Sequence, residues 1–239
     1  MNIALIGYGK MGREIESVAI AEGDTIVRTF DIDRPADVAS LADADVCIEF
    51  STPDTVVRNI EIAVEAKKNI VVGTTGWYAK LPEVRKLIEK SGQSGLLYSA
   101  NFSIGVNMFF RMAAAAAELM QNASEYDPYI HELHHRQKAD SPSGTALRLS
   151  EILLSRIRRK SHAVTQRVDG KIPADALHVS STRVGTFAGT HTVGFDSESD
   201  VVELTHTARN RRGFARGAVL AARWLHGRKG VFTMDDVEL

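Results

Sequence analysis

The apolar run Ile3-Ala4-Leu5-Ile6 leads straight into Gly7-Tyr8-Gly9-Lys10-Met11-Gly12, and few local patterns restrict a fold as tightly as glycines at this spacing. A turn from a buried strand into a helix uses each of them. Gly7 permits the tight turn, Gly9 lets backbone approach a pyrophosphate, and Gly12 lets the helix pack closely on the strand. The helix start adds unpaired N–H groups and the positive end of a dipole, both of which favour phosphate. Asp31 closes the next expected strand, nineteen residues after Gly12. An acid there accepts hydrogen bonds from ribose hydroxyls and repels a 2′-phosphate, which points to NADH. Arg34 offers a charge that suits NADPH, so both cofactors stay open. The plain alternatives are a tight turn with no ligand and a turn-forming aspartate.

Beyond this turn the first half alternates short β-branched runs with helical patterns. Strands are expected at Asn2 to Ile6, Thr25 to Asp31, Asp45 to Phe50, Asn69 to Gly73 and Gly95 to Tyr98. Helices are expected at Gly12 to Glu22, Asp54 to Lys67 and Leu81 to Ser91. This order predicts a parallel sheet covered on both faces. After a long Ala/Met-rich helix from Asn107 to Asn122 the pattern changes. An extended stretch from Tyr129 to His134 precedes an amphipathic helix from Ser143 to Arg158. Leu177 to Val184, Gly189 to Phe195 and Asp200 to His206 then read as antiparallel neighbours, and Gly213 to Leu225 as a final helix. The fold class is α/β: an N-terminal Rossmann-type parallel sheet, with a second α+β mixed-sheet domain beginning near residue 104.

Of the 239 residues, 44% are apolar and 25% charged, with a formal net charge of -1. Nothing in that balance suggests nucleic acid or an anionic membrane as a partner. No apolar stretch approaches the ~18 residues of a membrane span. The basic run Arg156 to Lys160 is expected to be a solvated helix end. The single cysteine, Cys47, sits in an apolar run and fits a buried packing role in a reducing compartment. With no signal-peptide pattern at the start, a cytoplasmic location is expected.

Two further strand ends carry small polar residues, Gly73-Thr74-Thr75-Gly76 and Ser99-Ala100-Asn101-Phe102. Ligands on open parallel sheets sit beyond the carboxyl ends of strands, and such residues can bond a nicotinamide amide without crowding it; plain turns are the alternative. The densest chemistry is His131-Glu132-Leu133-His134-His135-Arg136-Gln137-Lys138, leading to Ser141-Pro142-Ser143-Gly144-Thr145. Imidazoles near neutral pKa can supply a proton, and a helix start after two cations can hold a carboxylate. His131-Glu132-Leu133-His134-His135 also fits H-E-x-x-H. On a helix, that motif would let His131 and His135 bind zinc with Glu132 as base.

The stretch from Glu132 to Ala146 resembles the E-x-H-H-x-x-K-x-D-x-P-S-G-T-A signature of tetrahydrodipicolinate reductases. The likeness continues through Glu49-Phe50-Ser51-Thr52-Pro53, Gly73 to Gly76, Ala100 to Ser103, Gly105-Val106-Asn107, Gly189-Thr190-His191 and Arg211 to Ala215. The resemblance implies reduction of 4-hydroxy-tetrahydrodipicolinate by NADH or NADPH in diaminopimelate and lysine biosynthesis. It implies a dinucleotide-binding domain at 1–103, completed by 212–239, and a substrate-binding and tetramerisation domain at 104–211. His134 and Lys138 would be the catalytic proton donors. His135, Ser143, Gly144 and Thr145 would bind the cyclic dicarboxylate, helped by Arg211. Gly7, Tyr8, Gly9, Lys10, Met11, Gly12, Asp31, Gly73, Thr74, Thr75, Ser99, Ala100, Asn101 and Phe102 would bind the cofactor. No metal is implied, and a homotetramer is. In this sequence Asp31 stands where the family has glutamate, and no arginine follows it directly. Competing readings are a dehydrogenase for another amino or sugar acid and a non-catalytic dinucleotide sensor.

Overall fold

The computed structural model describes residues 1–238. In chain order the elements begin β1 (Asn2–Ile6), α1 (Lys10–Ala21), β2 (Thr25–Phe30), β3 (Val46–Glu49), α2 (Val56–Glu65), β4 (Asn69–Val72), α3 (Leu81–Ser91) and β5 (Gly95–Tyr98). They continue with α4 (Ile104–Met120), β6 (Asp127–His134), α5 (Gly144–Leu154), β7 (His162–Val164) and β8 (Ala176–Arg183). The chain ends through β9 (Thr190–Asp196), β10 (Val201–Thr207), α6 (Arg212–Leu225) and β11 (Gly230–Phe232). Two compact units result: Met1–Ile104 with Arg211–Leu239, and Gly105–Asn210. Among the described residues no helix is long and apolar enough to cross a membrane.

The first unit is a six-stranded sheet in the order β11-β5-β4-β3-β1-β2, with every adjacent pair parallel. Its strands are apolar on both faces because both faces are covered. Ile3 and Leu5 of β1 point to one side, in a core shared with Ile15 and Val18 of α1 and Ala218, Ala222 and Leu225 of α6. Ala4 and Ile6 point to the other, against Ile60 and Ala63 of α2 and Val84 and Ile88 of α3. Each fully buried Ile or Leu contributes roughly 1.5–3 kcal/mol. Cys47 packs wholly inside this second core, where burial pushes its thiol up to about 12.

The edge strand β11 is too short to read from periodicity. It enters beside β5, where Gly95 leaves room for passing backbone; a Cβ there would lie 2.5 Å from the Arg228 carbonyl oxygen. Asn69 fastens the same corner, donating to Leu225 O at 2.7 Å and Arg228 O at 3.1 Å and accepting from Gly95 N at 2.6 Å.

The second unit is a five-stranded mixed sheet in the order β10-β9-β6-β8-β7. β9 and β10 form the antiparallel pair that the sequence suggests. β8 and β9 are not neighbours, however, and this corrects the reading of three consecutive antiparallel strands. Helix α5 between β6 and β8 makes a crossover, so β8 lies parallel to β6. The segment 184–189 then crosses the end of β6, held by Val184 N–H to His134 O at 2.8 Å and Arg136 N–H to Gly185 O at 3.2 Å. β9 returns antiparallel on the far side of β6. The short strand β7 was not visible in the pattern.

The basic run also differs from expectation. α5 stops at Leu154, and Arg159 turns back toward the end of α4. Its guanidinium donates to the carbonyls of Met120, Gln121, Ala123 and Tyr126, at 3.0, 3.3, 3.4 and 2.6 Å. Those carbonyls line the turn between the end of α4 and β6, and a cation beside the helix end also matches its dipole. Lys160 is buried, bonded to Ala174 O at 2.8 Å and Ala176 O at 2.9 Å and paired with Asp127. Arg159 and Lys160 are therefore structural, while Arg158 stays exposed as expected.

Candidate active site

In the first unit the glycine turn leaves β1 at the carboxyl edge of the sheet. Gly7 has φ +93°, and a Cβ on it would meet Phe50 O at 2.3 Å. Gly12 sits in the first turn of α1, where a Cβ would lie 2.4 Å from Gly7 O. Gly9 caps the helix with nothing within 4 Å of its Cβ direction and no side chain bonding the helix N–H groups. The first turn carries no acid, and Lys10 is exposed. This is an open cradle of unpaired donors suited to a pyrophosphate. The Tyr8 and Met11 side chains turn inward instead, packing against the first core, and Tyr8 donates its hydroxyl proton to Glu16.

Asp31 is exposed at the end of β2. Its Oδ1 accepts from Ile32 N at 2.9 Å, and its backbone bridges that of Arg34 in both directions, at 2.9 and 3.1 Å. Arg34 in turn bonds Thr29 Oγ1 at 2.9 Å. The two groups that argue for opposite cofactors are therefore held side by side.

Sequence reading missed two residues at this edge. Phe50 lies between the strand ends: a Cβ on Gly73 would strike its ring at 2.2 Å, and the ring packs on Phe102 with centroids 5.8 Å apart. The buried Phe102 ring therefore serves the core. Glu49 is fully buried, and its Oε1 accepts from Ser51 N at 3.1 Å, from the Ser51 hydroxyl and from Asn59 Nδ2 at 3.2 Å. Burial pushes its pKa up, against Ser51, Thr74 and Asn59. Thr74 is buried and its carbonyl accepts from Trp77, while Thr75 and Ala100 are exposed. Ser99 Oγ donates to Asn101 O at 2.9 Å and Asn101 Oδ1 accepts from Ser103 N at 2.9 Å, so these residues shape the turn after β5.

In the second unit the signature residues fall on and just beyond β6, a strand and not a helix. That overturns the zinc-peptidase geometry. His131 and Glu132 point to opposite faces, and His131 bonds Ser180 Oγ at 2.9 Å. Residues two apart share a face, so Ile130, Glu132 and His134 line up. Strand register adds Ser181 and His191 directly on either side of Glu132. One sheet face thus runs from hydrocarbon, at Ile130, Val179 and Val193, into a charged row.

Glu132 is fully buried at the centre of that row. Its Oε1 accepts from Ser143 N at 2.9 Å, Ser181 Oγ at 2.8 Å and Arg183 Nη2 at 2.9 Å. Its Oε2 faces His134 Nδ1 at 3.1 Å and His191 Nε2 at 3.5 Å. Burial acts to raise its pKa, but His191, Ser143, Ser181 and Arg183 prevail and hold the carboxyl well below the usual range. For His134, burial pushes the pKa down from 6.5 to about 4, against the pull of Glu132. Glu132, His134 and His191 place three metal-type ligand atoms within 4.8 Å of one another. Arg183 already neutralises the carboxylate, and His191 Nε2 stands 3.0 Å from Ser143 Oγ, so a dication would meet a cation and an occupied ligand.

Lys138 pairs with Asp140 at 2.7 Å, which lowers the Asp140 pKa, and His135 is half-buried beyond the strand end. Ser143 caps α5: its hydroxyl accepts from Ala146 N at 3.2 Å while its own N–H is spent on Glu132. Ser143 is buried, its N–H braces Glu132 and its hydroxyl also lies 3.0 Å from His191 Nε2. Gly144 and Thr145 open the helix, and Gly144 has open space where a Cβ would stand. Arg211 caps α6 in the first unit and is exposed.

Comparison with known proteins adds to this geometry. Residues 1–102 match the family model described as dihydrodipicolinate reductase, N-terminus, and residues 105–237 match the model for its C-terminus. The 4-hydroxy-tetrahydrodipicolinate reductase of Christiangramia forsetii is 40% identical over 238 residues, covering 99% of this chain and 97% of that one. The enzyme of the same name from Archaeoglobus fulgidus is 37% identical over 259 residues, with 99% of each chain covered. Among solved structures, a dipicolinate-bound dihydrodipicolinate reductase from Paenisporosarcina sp. TG-14 aligns with a TM-score of 0.79 at 23% identity, covering 98% of this chain and 97% of that one.

Proposed function

From the premise that the chain belongs to the dihydrodipicolinate reductase family, we propose that it reduces 4-hydroxy-tetrahydrodipicolinate to tetrahydrodipicolinate at the expense of NADH or NADPH, in diaminopimelate and lysine biosynthesis. The observation that carries the reading is the matched signature from Glu132 to Ala146, in which Glu132, His134 and Ser143 meet at one end of β6.

The dinucleotide supplies hydride when bound. The first unit holds it: Gly7, Gly9 and Gly12 keep side chains away from the pyrophosphate, and the α1 N–H groups bond it. Asp31 takes the ribose hydroxyls, and Arg34 beside it tolerates a 2′-phosphate. Gly73, Thr74, Thr75 and Ser99 to Phe102 frame the far end with their backbone.

The second unit holds the dicarboxylate. Lys138 exchanges Asp140 for a substrate carboxylate, and the N–H groups of Gly144 and Thr145 support the same anion. His135 and Arg211 are assigned supporting contacts. His134 manages the proton that must follow the hydride, and dipicolinate on the Paenisporosarcina relative is a ligand of this chemical class. A homotetramer and a cytoplasmic location complete the proposal.

The test is consumption of NADH and NADPH, side by side, with 4-hydroxy-tetrahydrodipicolinate as substrate. Turnover with neither cofactor would end the proposal. His134→Gln should lower kcat by roughly 10²–10⁴; an unchanged kcat removes His134 from the reaction.

A further inference from the structure

Three strands converge on Glu132, a residue that the assignment of roles above leaves unused. Its Oε1 is saturated by Ser143 N–H, the Ser181 hydroxyl and Arg183, so the carboxylate plane cannot turn. Its Oε2 has no hydrogen-bond partner of its own, and neither has His134 Nδ1, yet the two stand 3.1 Å apart. They form no hydrogen bond of good geometry, so a neutral ring and the carboxylate meet here in a charge–dipole contact. A buried anionic oxygen without a donor is costly, and the proton of a facing imidazole is the nearest remedy. On the other side of the ring, Nε2 lies against Gly189; a Cβ on that glycine would sit 2.9 Å from it. Gly189 has φ +141° and is set there by the segment that crosses the end of β6.

We propose that Glu132 is a positioning residue for His134: it keeps the imidazole proton on Nδ1 and leaves Nε2, in the space kept by Gly189, as the nitrogen that handles the substrate proton. The proposal rests on His134 having that task. Neutral imidazole in water prefers its proton on Nε2, so Glu132 reverses the default. Which ring nitrogen is bare follows from what the other one faces. A bare Nε2 makes His134 a proton acceptor in the free protein. The proton it later delivers must first reach Nε2, from solvent or through Lys138.

The experiment is a multiple-bond 1H–15N correlation spectrum of the full chain labelled at histidine, recorded near neutral pH. Wild type should show His134 with Nδ1 protonated and Nε2 bare. Glu132→Gln should return the proton to Nε2 and lower kcat by roughly 10–100-fold at similar KM, less than the full loss of an acid or base. Gly189→Ala should lower kcat with the Nδ1 proton kept. A wild-type His134 protonated at Nε2 overturns the proposal, as does a folded Glu132→Gln protein with unchanged tautomer and kcat. If Glu132→Gln does not fold, the wild-type spectrum and Gly189→Ala decide alone. A protein inactive on the dicarboxylate but protonated at Nδ1 would refute the reduction and uphold the tautomer.

Discussion

Lowering the pH from about 7.5 to about 5 should destabilise the folded protein by about 2 kcal/mol through His134 alone. Its imidazole is buried and its pKa drops from 6.5 to about 4 on folding. Between those values the unfolded chain binds more protons than the folded one, so stability is lost as the pH falls. The whole interval corresponds to roughly 3 kcal/mol at 1.36 kcal/mol per pH unit, of which about two thirds is spent by about pH 5. Half-buried His206, whose pKa burial also lowers, contributes in the same direction. The quantity to measure is therefore a difference: urea unfolding of wild type and His134→Gln at both pH values. The wild type should lose about 2 kcal/mol more than the variant, a relative midpoint shift of about 1 M urea. Staying above about pH 5 keeps most carboxyl titration out of the comparison. Equal losses in the two proteins would refute both the neutral buried imidazole and the linkage drawn from it.

Arg159→Ala should cost about 2–4 kcal/mol in urea unfolding, because four backbone carbonyls lose one charged donor; a loss under about 0.5 kcal/mol would return the residue to the solvated surface. Gly12→Val should weaken NADH binding at least about tenfold by calorimetry, since even a Cβ lies 2.4 Å from Gly7 O; native affinity would mean that the turn is not the pyrophosphate cradle. Asp31→Ala should weaken NADH binding roughly tenfold and spare NADPH, and parallel losses for both would dismiss the ribose role.

Much of the first unit was legible because its signals are local. Continuous apolar strands, glycines at a fixed spacing and helix-period stripes report themselves over a few residues. The second unit was less so. That β8 lies parallel to β6 depends on the intervening helix, and that β9 crosses to the far side depends on a loop bonding the end of β6. Both are long-range facts. The same limit hid Glu132 and His191, which become neighbours only through strand register. Arg159 read as surface charge because its acceptors lie more than thirty residues away along the chain. The cap position of Ser143 was legible in sequence, while the acid under it was not. Phe50 carried a signal in its motif, but its place between two glycines is visible only in three dimensions.

The first unit is built from two separated stretches of chain, and this bears on its birth at the ribosome. One flank of its sheet, around Ile3, Leu5 and Val71, finds its cover in Ala218, Leu225, Met234 and Val237. Until those residues emerge, a hydrocarbon surface stands bare, while the inserted stretch 105–210 already has everything its own interior needs. The portion translated first is thus the last to close. A ribosome that has just pushed residue 210 clear of its exit tunnel would present one finished module and one half-made sheet, a natural client for a chaperone.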